Sequence, residues 1–379
     1  MCQLSDKSIT CDDGWVTSFR ALSVLVLAGS LVAQTHSRAD QFRRATALED
    51  LGRRLFFDAR LSASGRMSCA TCHDPHVAYG PPNGLAVQPG GRRAVPSLRY
   101  LQSIPQFTEH YYDSESHGDE SVDNGPTGGL GWDGRFDRGR TQARAPLFSP
   151  FEMANENEAA LLRRARAAGY PQPFQTLLEA IEVFEQTPSA FYPYSSRYDA
   201  WLSGKGTLSE RELRGFRLFT DPDKGNCARC HIATKAPNGA LPQFTDYGLI
   251  ALGVPRNRDL PANMPDLGLC GPDRTDFKGR AEYCGRFMTP TLRNVATRGA
   301  FFHNGVVHTL RDAVRFYVER DSRPEKWYPG RKYDDLPPEY AANVETGAPF
   351  GPKPALTDSE IDDVVAFLET LTDSDVRTK

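Results

Sequence analysis

The sequence predicts a mainly α-helical protein with two related domains. Two similar segments, LGRRLFFD at 51–58 and RGFRLFTD at 214–221, each lead through a short polar loop into a Cys-x-x-Cys-His motif. The motifs begin at Cys69 and Cys227, 158 positions apart, and so long a period is typical of a duplicated domain and not of a solenoid. No stretch shows the sustained alternation of apolar and polar residues that predicts successive strands.

The length and composition agree with this division. A chain of 379 residues suits two domains. We expect a leader at 1–39, a first domain at 40–205 and a second at 206–379, with the linker near 188–207. The 32 glycines and 28 prolines predict long ordered loops between the helices, and the hydrophobic share of 39% is sufficient for a core.

Two segments carry clear helix signals. At 208–219, Ser209 is a candidate N-cap. At 357–371, Thr357 and Glu360 have the spacing of a capping box. The apolar residues at helical spacing are Leu213, Phe216 and Phe219 in the first segment and Ile361, Val364, Val365 and Leu368 in the second.

The charge distribution excludes some classes of partner. The net charge is −3, with acidic and basic residues interspersed along the chain. Neither nucleic acid nor an anionic membrane surface is an expected partner of such a chain. We expect a monomer or a dimer.

An apolar run near the start predicts export. Residues 21–33, ALSVLVLAGSLVA, follow Arg20 and are too few to span a bilayer, but they suit the core of a signal peptide. The alternative is a buried helix of the mature fold. With a signal peptide the protein is periplasmic and not an integral membrane protein, and Cys2 and Cys11 are lost with the leader.

The two Cys-x-x-Cys-His motifs, CATCH at 69–73 and CARCH at 227–231, allow three interpretations. A shared four-thiolate zinc site would leave both histidines unexplained, and a thioredoxin-like dithiol needs no histidine after its second cysteine. Covalent haem c explains both cysteines and the histidine of the motif, because the thiols bond the haem and the histidine binds its iron. We therefore predict two haem c groups in cytochrome c-like helical domains. The residues concerned are Cys69, Cys72 and His73 for the first haem and Cys227, Cys230 and His231 for the second.

Further motifs make the chain resemble the bacterial di-haem cytochrome c peroxidases, and most closely their tyrosine-ligated, MauG-like branch. WDGR at 132–135 is similar to the family segment that holds a tryptophan between the haems. TPTLRNVATRGAFFHNG at 289–305 is similar to the stretch that links the haems, and the helix predicted at 308–320 follows it.

The resemblance implies roles for five residues: Trp132 as an electron relay, Gln142, Pro146 and Glu152 as the peroxide pocket, and Tyr317 as the sixth ligand of the second haem. Glu152 would be the acid/base that moves a proton between the peroxide oxygens. Three of these residues have a simpler explanation: Glu152 as a solvated acid, Trp132 as structural packing, and Tyr317 as a core tyrosine.

The same resemblance implies two alternative functions. In the MauG-like one, hydrogen peroxide at the first haem forms a high-valent di-haem state that oxidises tryptophan or tyrosine residues of a partner protein. In the other, a di-haem cytochrome c peroxidase reduces hydrogen peroxide to water with electrons from a small cytochrome or cupredoxin. Electron transfer without catalysis would leave Glu152 without a purpose.

The sequence departs from the MauG pattern in two places. Gly225 stands where MauG has a surface tryptophan, so the exit route for oxidising equivalents must differ; the candidates are Trp201, Tyr247 and Trp327. The resemblance also implies one Ca²⁺ between the domains, bound through the backbone carbonyls of Arg298 and Ala300. The asparagine that would complete that calcium site is missing near 95–100.

The remaining candidates are histidines and thiols. In many peroxidases a histidine before the WDGR tryptophan caps the first haem. His110 and His117 occupy the corresponding loop, where both could equally be surface residues. Cys270 and Cys284 enclose a loop with glycine and proline, and in an oxidising compartment we expect them to form a disulfide.

Overall fold

Helices and long connecting segments dominate the structure, a computed structural model that describes residues 37–82, 87–112, 121–260 and 265–376. The two short strands of the described residues, β1 (Leu249–Ile250) and β2 (Phe287–Met288), pair antiparallel. The prediction of a mainly α-helical fold is confirmed. The helices are α1 (Arg38–Phe57), α2 (Cys69–Cys72), α3 (Gly139–Phe148), α4 (Glu158–Ala167), α5 (Phe174–Phe184), α6 (Pro188–Phe191), α7 (Arg197–Leu202), α8 (Glu210–Thr220), α9 (Leu310–Glu319) and α10 (Asp358–Glu369).

The similar segments of the sequence make the same close helix contact. A Cβ atom on Gly52 of α1 would lie 1.9 Å from the Ala180 carbonyl oxygen of α5. A Cβ atom on Gly215 of α8 would lie 1.9 Å from the Asp363 carbonyl oxygen of α10. Since only glycine lets two helix backbones approach so closely, the sequence repeat corresponds to a repeated helix pair.

Two apolar cores contain these helix pairs. The first lies among α1, α3, α4 and α5 and includes Leu51, Leu161 and Ile181. The second lies among α7 to α10 and includes Phe219 and Phe367. This arrangement is consistent with one helical unit around each Cys-x-x-Cys-His motif, although residues 42–379 form one compact unit and the boundary at 205 stays a prediction.

The predicted helix starts are confirmed. Ser209 accepts from the Glu212 backbone N–H, and the Glu212 carboxylate accepts from that of Ser209. Thr357 and Glu360 make the same reciprocal pair at the start of α10. All the predicted apolar positions lie in or against the second core, with Leu213, Phe216 and Val365 only partly buried.

One buried carboxylate ties segments from both halves of the sequence. Asp373, just beyond α10, accepts from the Arg99 guanidinium at 3.0 Å, the Tyr100 hydroxyl at 2.8 Å and the Asn294 amide at 2.7 Å. Arg99 and Asp373 are 1% and 2% exposed. Removing one partner of a buried ion pair costs about 3–5 kcal/mol, so this contact fixes the loops that carry the site.

Of the described helices, none has the length and hydrophobicity that a membrane span requires. The predicted leader lies outside the described residues except for 37–39. Cys2, Cys11 and His117 also lie outside them.

Candidate functional site

Both Cys-x-x-Cys-His motifs fold into a tight turn that gathers two thiols and an imidazole. Cys69–Cys72 form the single turn α2, and the backbone N–H of His73 donates to the Cys69 carbonyl at 2.9 Å. In the second motif the N–H of His231 donates to the Cys227 carbonyl at the same distance of 2.9 Å. The two motifs therefore present their side chains in the same way.

The two imidazoles are oriented as metal ligands are. Nδ1 of His73 lies 3.2 Å from the Tyr79 carbonyl oxygen, and Nδ1 of His231 lies 2.9 Å from that of Phe244. Because a carbonyl only accepts, Nδ1 carries the proton and Nε2 keeps a lone pair for iron. Burial lowers the pKa of His73 to about 4 and also lowers the pKa of His231, so both rings are neutral at physiological pH.

The thiols do not have the properties of a redox or zinc site. All four are unbridged, and burial raises the pKa of Cys69 and of Cys227 to about 12, whereas a catalytic dithiol needs a lowered thiol pKa. Throughout the described ranges, no three His, Cys, Asp or Glu side chains are grouped as metal ligands. The paired thiols, each followed by an oriented imidazole, fit covalent haem.

A mainly apolar cavity adjoins the second motif. Cys227, Cys230 and His231 line it together with Tyr317 from α9. Such a wall suits the haem macrocycle, and the same cavity reaches Trp132 and Gln142 of the first half. The candidate sites of the two halves are thus connected.

The predicted peroxide pocket is built on α3 and the turn after it. Gln142 and Pro146 are four positions apart, and thus on one face of the helix. The chain then folds back, since the Met153 N–H donates to the Pro146 carbonyl at 3.0 Å and Ala154 adopts a left-handed conformation with φ of 52°. This turn places Glu152 beside the end of α3.

Glu152 is partly buried. Burial raises the pKa of its carboxyl, while a hydrogen bond with Ser149 and the charge of Arg135 oppose the rise. The Glu152 charge in turn raises the pKa of Cys72, second only to burial, so the carboxyl lies near the first haem motif. A carboxyl held there can take up and return a proton.

Trp132 is fixed by hydrogen bonds on both sides. Its indole N–H donates to the Ala94 carbonyl at 2.8 Å, and its own carbonyl accepts from the Met288 N–H at 2.8 Å. The neighbouring Asp133 is fully buried and accepts from Arg93 at 2.7 Å and Arg135 at 2.8 Å. The indole therefore has one orientation at the cavity wall.

Tyr317 faces the second haem motif. Its ring packs against Phe350, with the centroids 5.7 Å apart, and against Phe302. Burial raises the pKa of its hydroxyl, with smaller contributions from Cys230 and Cys227, which places the side chain close to both thiols.

Sequence reasoning missed one carboxyl, that of Glu185 at the end of α5. It lines the same cavity as Gln142, and its charge contributes to the raised pKa of Cys69. Burial, and secondarily the charge of Glu182, raises the pKa of Glu185 to about 8. A single glutamate after an apolar helix carries no motif, so only the fold reveals its position.

The three residues predicted as candidates for the exit route of oxidising equivalents lie in different surroundings. Tyr247 lines the cavity, and Trp327 packs edge-on against Phe316 with centroids 5.2 Å apart. Trp201 packs against the second core, away from the cavity wall. At Gly225 a Cβ atom would meet the Leu218 carbonyl oxygen at 2.6 Å, so the backbone leaves no room for a tryptophan there.

His110, Cys270 and Cys284 do not line the cavity. His110 is at the surface, its side chain 57% exposed, with Nδ1 2.6 Å from Asp123. Cys270 and Cys284 are joined by a disulfide beneath the strand pair.

Known proteins show the same architecture. The family model for di-haem cytochrome c peroxidase matches residues 46–207. The methylamine utilization protein MauG of Paracoccus denitrificans is 34% identical over 93% of this chain and 94% of its own. The chain belongs to the di-haem cytochrome c peroxidase family. It is accordingly a peroxide-dependent oxidoreductase with two haem groups.

Other members of the family are similar over most of their length. The cytochrome c551 peroxidase of Nitrosomonas europaea is 30% identical over 70% of this chain and 71% of its own. The diheme peroxidase BthA from Burkholderia thailandensis superimposes with a TM-score of 0.76 at 39% identity, covering 87% of this chain and 86% of that one. A MauG-like protein associated with microbial copper homeostasis gives a TM-score of 0.61 at 27% identity, with 86% and 89% covered.

Proposed function

We propose that this member of the family is a periplasmic, MauG-like oxidase that uses hydrogen peroxide to oxidise tryptophan or tyrosine residues of a partner protein. Each peroxide takes two electrons and two protons to become two waters, and the electrons come from the partner. Bound haem would supply the iron that breaks the O–O bond and stores the oxidising equivalents. The residues His73 and His231 would hold the two irons.

Tyr317 carries this proposal. It is a residue of α9 that lines the same cavity as His231. Burial raises the pKa of its hydroxyl, and Cys230 and Cys227 lie close enough for their charges to raise that pKa further. An anionic phenolate favours oxidised iron, whereas a thioether favours reduced iron. The helix α9 contains no methionine that could take this position. Met288 also lines the cavity, but it lies in β2 and packs against Leu249 and Leu269.

The first site would handle the protons. Glu152 would transfer a proton between the two peroxide oxygens, Gln142 would orient peroxide or water, and Pro146 would keep the pocket small. Because the pKa of Glu152 is raised, it lies closer to neutral pH. A general acid/base is most effective when its pKa is near the pH at which the enzyme works.

Trp132 would connect the two sites. Its indole lines the cavity shared with the second motif and is held by the Ala94 carbonyl. From the second site, oxidising equivalents would leave toward the partner through Tyr247, which lines the cavity, or through Trp327, whose ring contacts Phe316 beside Tyr317.

The second candidate is a peroxidase that receives electrons from a small cytochrome or cupredoxin. The similarity to the Nitrosomonas enzyme favours it. His110 would then cap the first haem, but that residue is exposed and paired with Asp123.

The ferric spectrum of the isolated holoprotein separates the two candidates. The MauG-like proposal predicts high-spin and low-spin haem in similar amounts, because the first iron keeps an open or water-bound position beside Glu152. Two low-spin haems, one of which reverts on His110→Ala, would support the peroxidase instead. Electron paramagnetic resonance counts both species directly.

A further inference from the structure

The calcium site that the family resemblance implies does not fit the residues of this chain. The expected ligands are carbonyls near Arg298 and Ala300 and an amide side chain near 95–100. No asparagine is present in that second segment. Instead, Nε of Arg298 donates to the Ala300 carbonyl at 3.2 Å, and Nη2 donates to the Val95 carbonyl at 3.1 Å.

We propose that the Arg298 guanidinium takes the place of the calcium ion as a permanent cation between the two halves of the protein. It bonds a carbonyl from each of the segments that calcium would join. A divalent cation at the same carbonyls would lie within a few ångströms of the guanidinium, and the two positive charges would repel each other.

The surroundings of Arg298 show that it is not an ordinary ion-pair residue. Within the described part of the chain no carboxylate lies within salt-bridge distance of it, and burial alone lowers the pKa of its guanidinium to about 10. It lines the cavity together with His231, Trp132 and Gln142. The guanidinium therefore lies at a cavity that residues from both halves of the sequence line.

The contact also bears on the position of the electron relay. The Val95 carbonyl held by Arg298 follows the Ala94 carbonyl that accepts from the Trp132 indole, and the Ala94 N–H donates to the His303 carbonyl at 2.6 Å. Arg298 is thus a positioning residue for the segment that orients Trp132. This inference is independent of the choice between oxidase and peroxidase.

Calcium analysis of the wild-type holoprotein tests the proposal without any variant. After equilibration with 1 mM CaCl₂ and desalting, we expect less than about 0.1 Ca²⁺ per chain, and the same melting temperature and haem spectra with Ca²⁺ or with EGTA. One Ca²⁺ per chain, or a spin-state or stability change on chelation, would overturn the proposal.

Variants provide the second test. Arg298→Ala should lower the melting temperature and shift the absorption spectrum of the first haem, while Arg298→Lys should restore part of both. The control is Arg258→Ala, because Arg258 is 62% exposed and pairs with Asp334 at the surface. An Arg298→Ala protein with the stability and spectra of the control would contradict the proposal; if that variant fails to fold, the wild-type calcium analysis decides.

Discussion

The Trp132 indole N–H donates to the Ala94 carbonyl oxygen at 2.8 Å. This bond fixes the aromatic side chain that the WDGR segment contributes to the cavity. The carbonyl that accepts it is next to the Val95 carbonyl, to which the Arg298 guanidinium donates. If Trp132 is the electron relay that we propose, the bond to Ala94 would keep the indole orientation on which its electronic coupling to both sites depends.

Replacing Trp132 with phenylalanine should separate the two sites electronically while keeping an aromatic ring. The lost hydrogen bond should lower the free energy of unfolding by about 0.5–1.5 kcal/mol. In stopped-flow absorption, peroxide should still react at the first haem, but the spectrum of the second should no longer change with it. A second haem that responds at the wild-type rate would exclude the relay role.

Replacing Glu152 with glutamine keeps the size and polarity of the side chain but removes its proton acceptor. Haem loading should remain normal, and the reaction with peroxide should slow by roughly 10²–10⁴-fold, the scale of a lost general acid/base. The control is Glu156→Gln, an exposed glutamate after the same turn. Equal peroxide rates in both variants would show that Glu152 is not the acid/base.

The Glu185 carboxyl makes stability depend on pH. Its pKa is raised from 4.5 to about 8 in the folded protein, so the folded state binds its proton more tightly than the unfolded state. That contribution is complete below about pH 4.5 and is lost as the pH rises through about 8. Urea unfolding of Glu185→Gln should therefore show a flatter dependence on pH than the wild type between about pH 5 and 9.

The matched control for this prediction is Glu158→Gln, since Glu158 is an exposed residue at the start of α4. This variant should keep the wild-type slope. If Glu185→Gln also keeps that slope, the carboxyl is ionised in the folded protein and does not hold a proton in the cavity.

The local parts of the structure could be predicted from the sequence. Ser209 and Thr357 start their helices as expected, because capping and helical periodicity depend on neighbouring residues. The similar segments at 51–58 and 214–221 predicted two related domains, but not the duplicated helix contact that Gly52 and Gly215 make possible.

The features that depend on distant parts of the chain could not be predicted. Glu185 enters the first site only because α5 packs beside it, and nothing in its neighbouring sequence signals this. The sequence suggested Arg298 for its backbone carbonyl, whereas the structure shows its guanidinium bonded to Val95, about 200 positions away. Long loops bring such residues together, and loop conformation has no periodic signal in the sequence.

Mixing the fully ferric holoprotein with stoichiometric peroxide tests the central role of Tyr317 most directly. If its oxygen binds the iron held by His231, both haems of the wild type should change spectrum together without prior reduction. Tyr317→Phe loses only a hydroxyl and should keep the fold, but the shared response and oxidation of the partner protein should disappear. A wild type that reacts only after one haem is reduced, or a variant that gives the same spectral change, would contradict the MauG-like account.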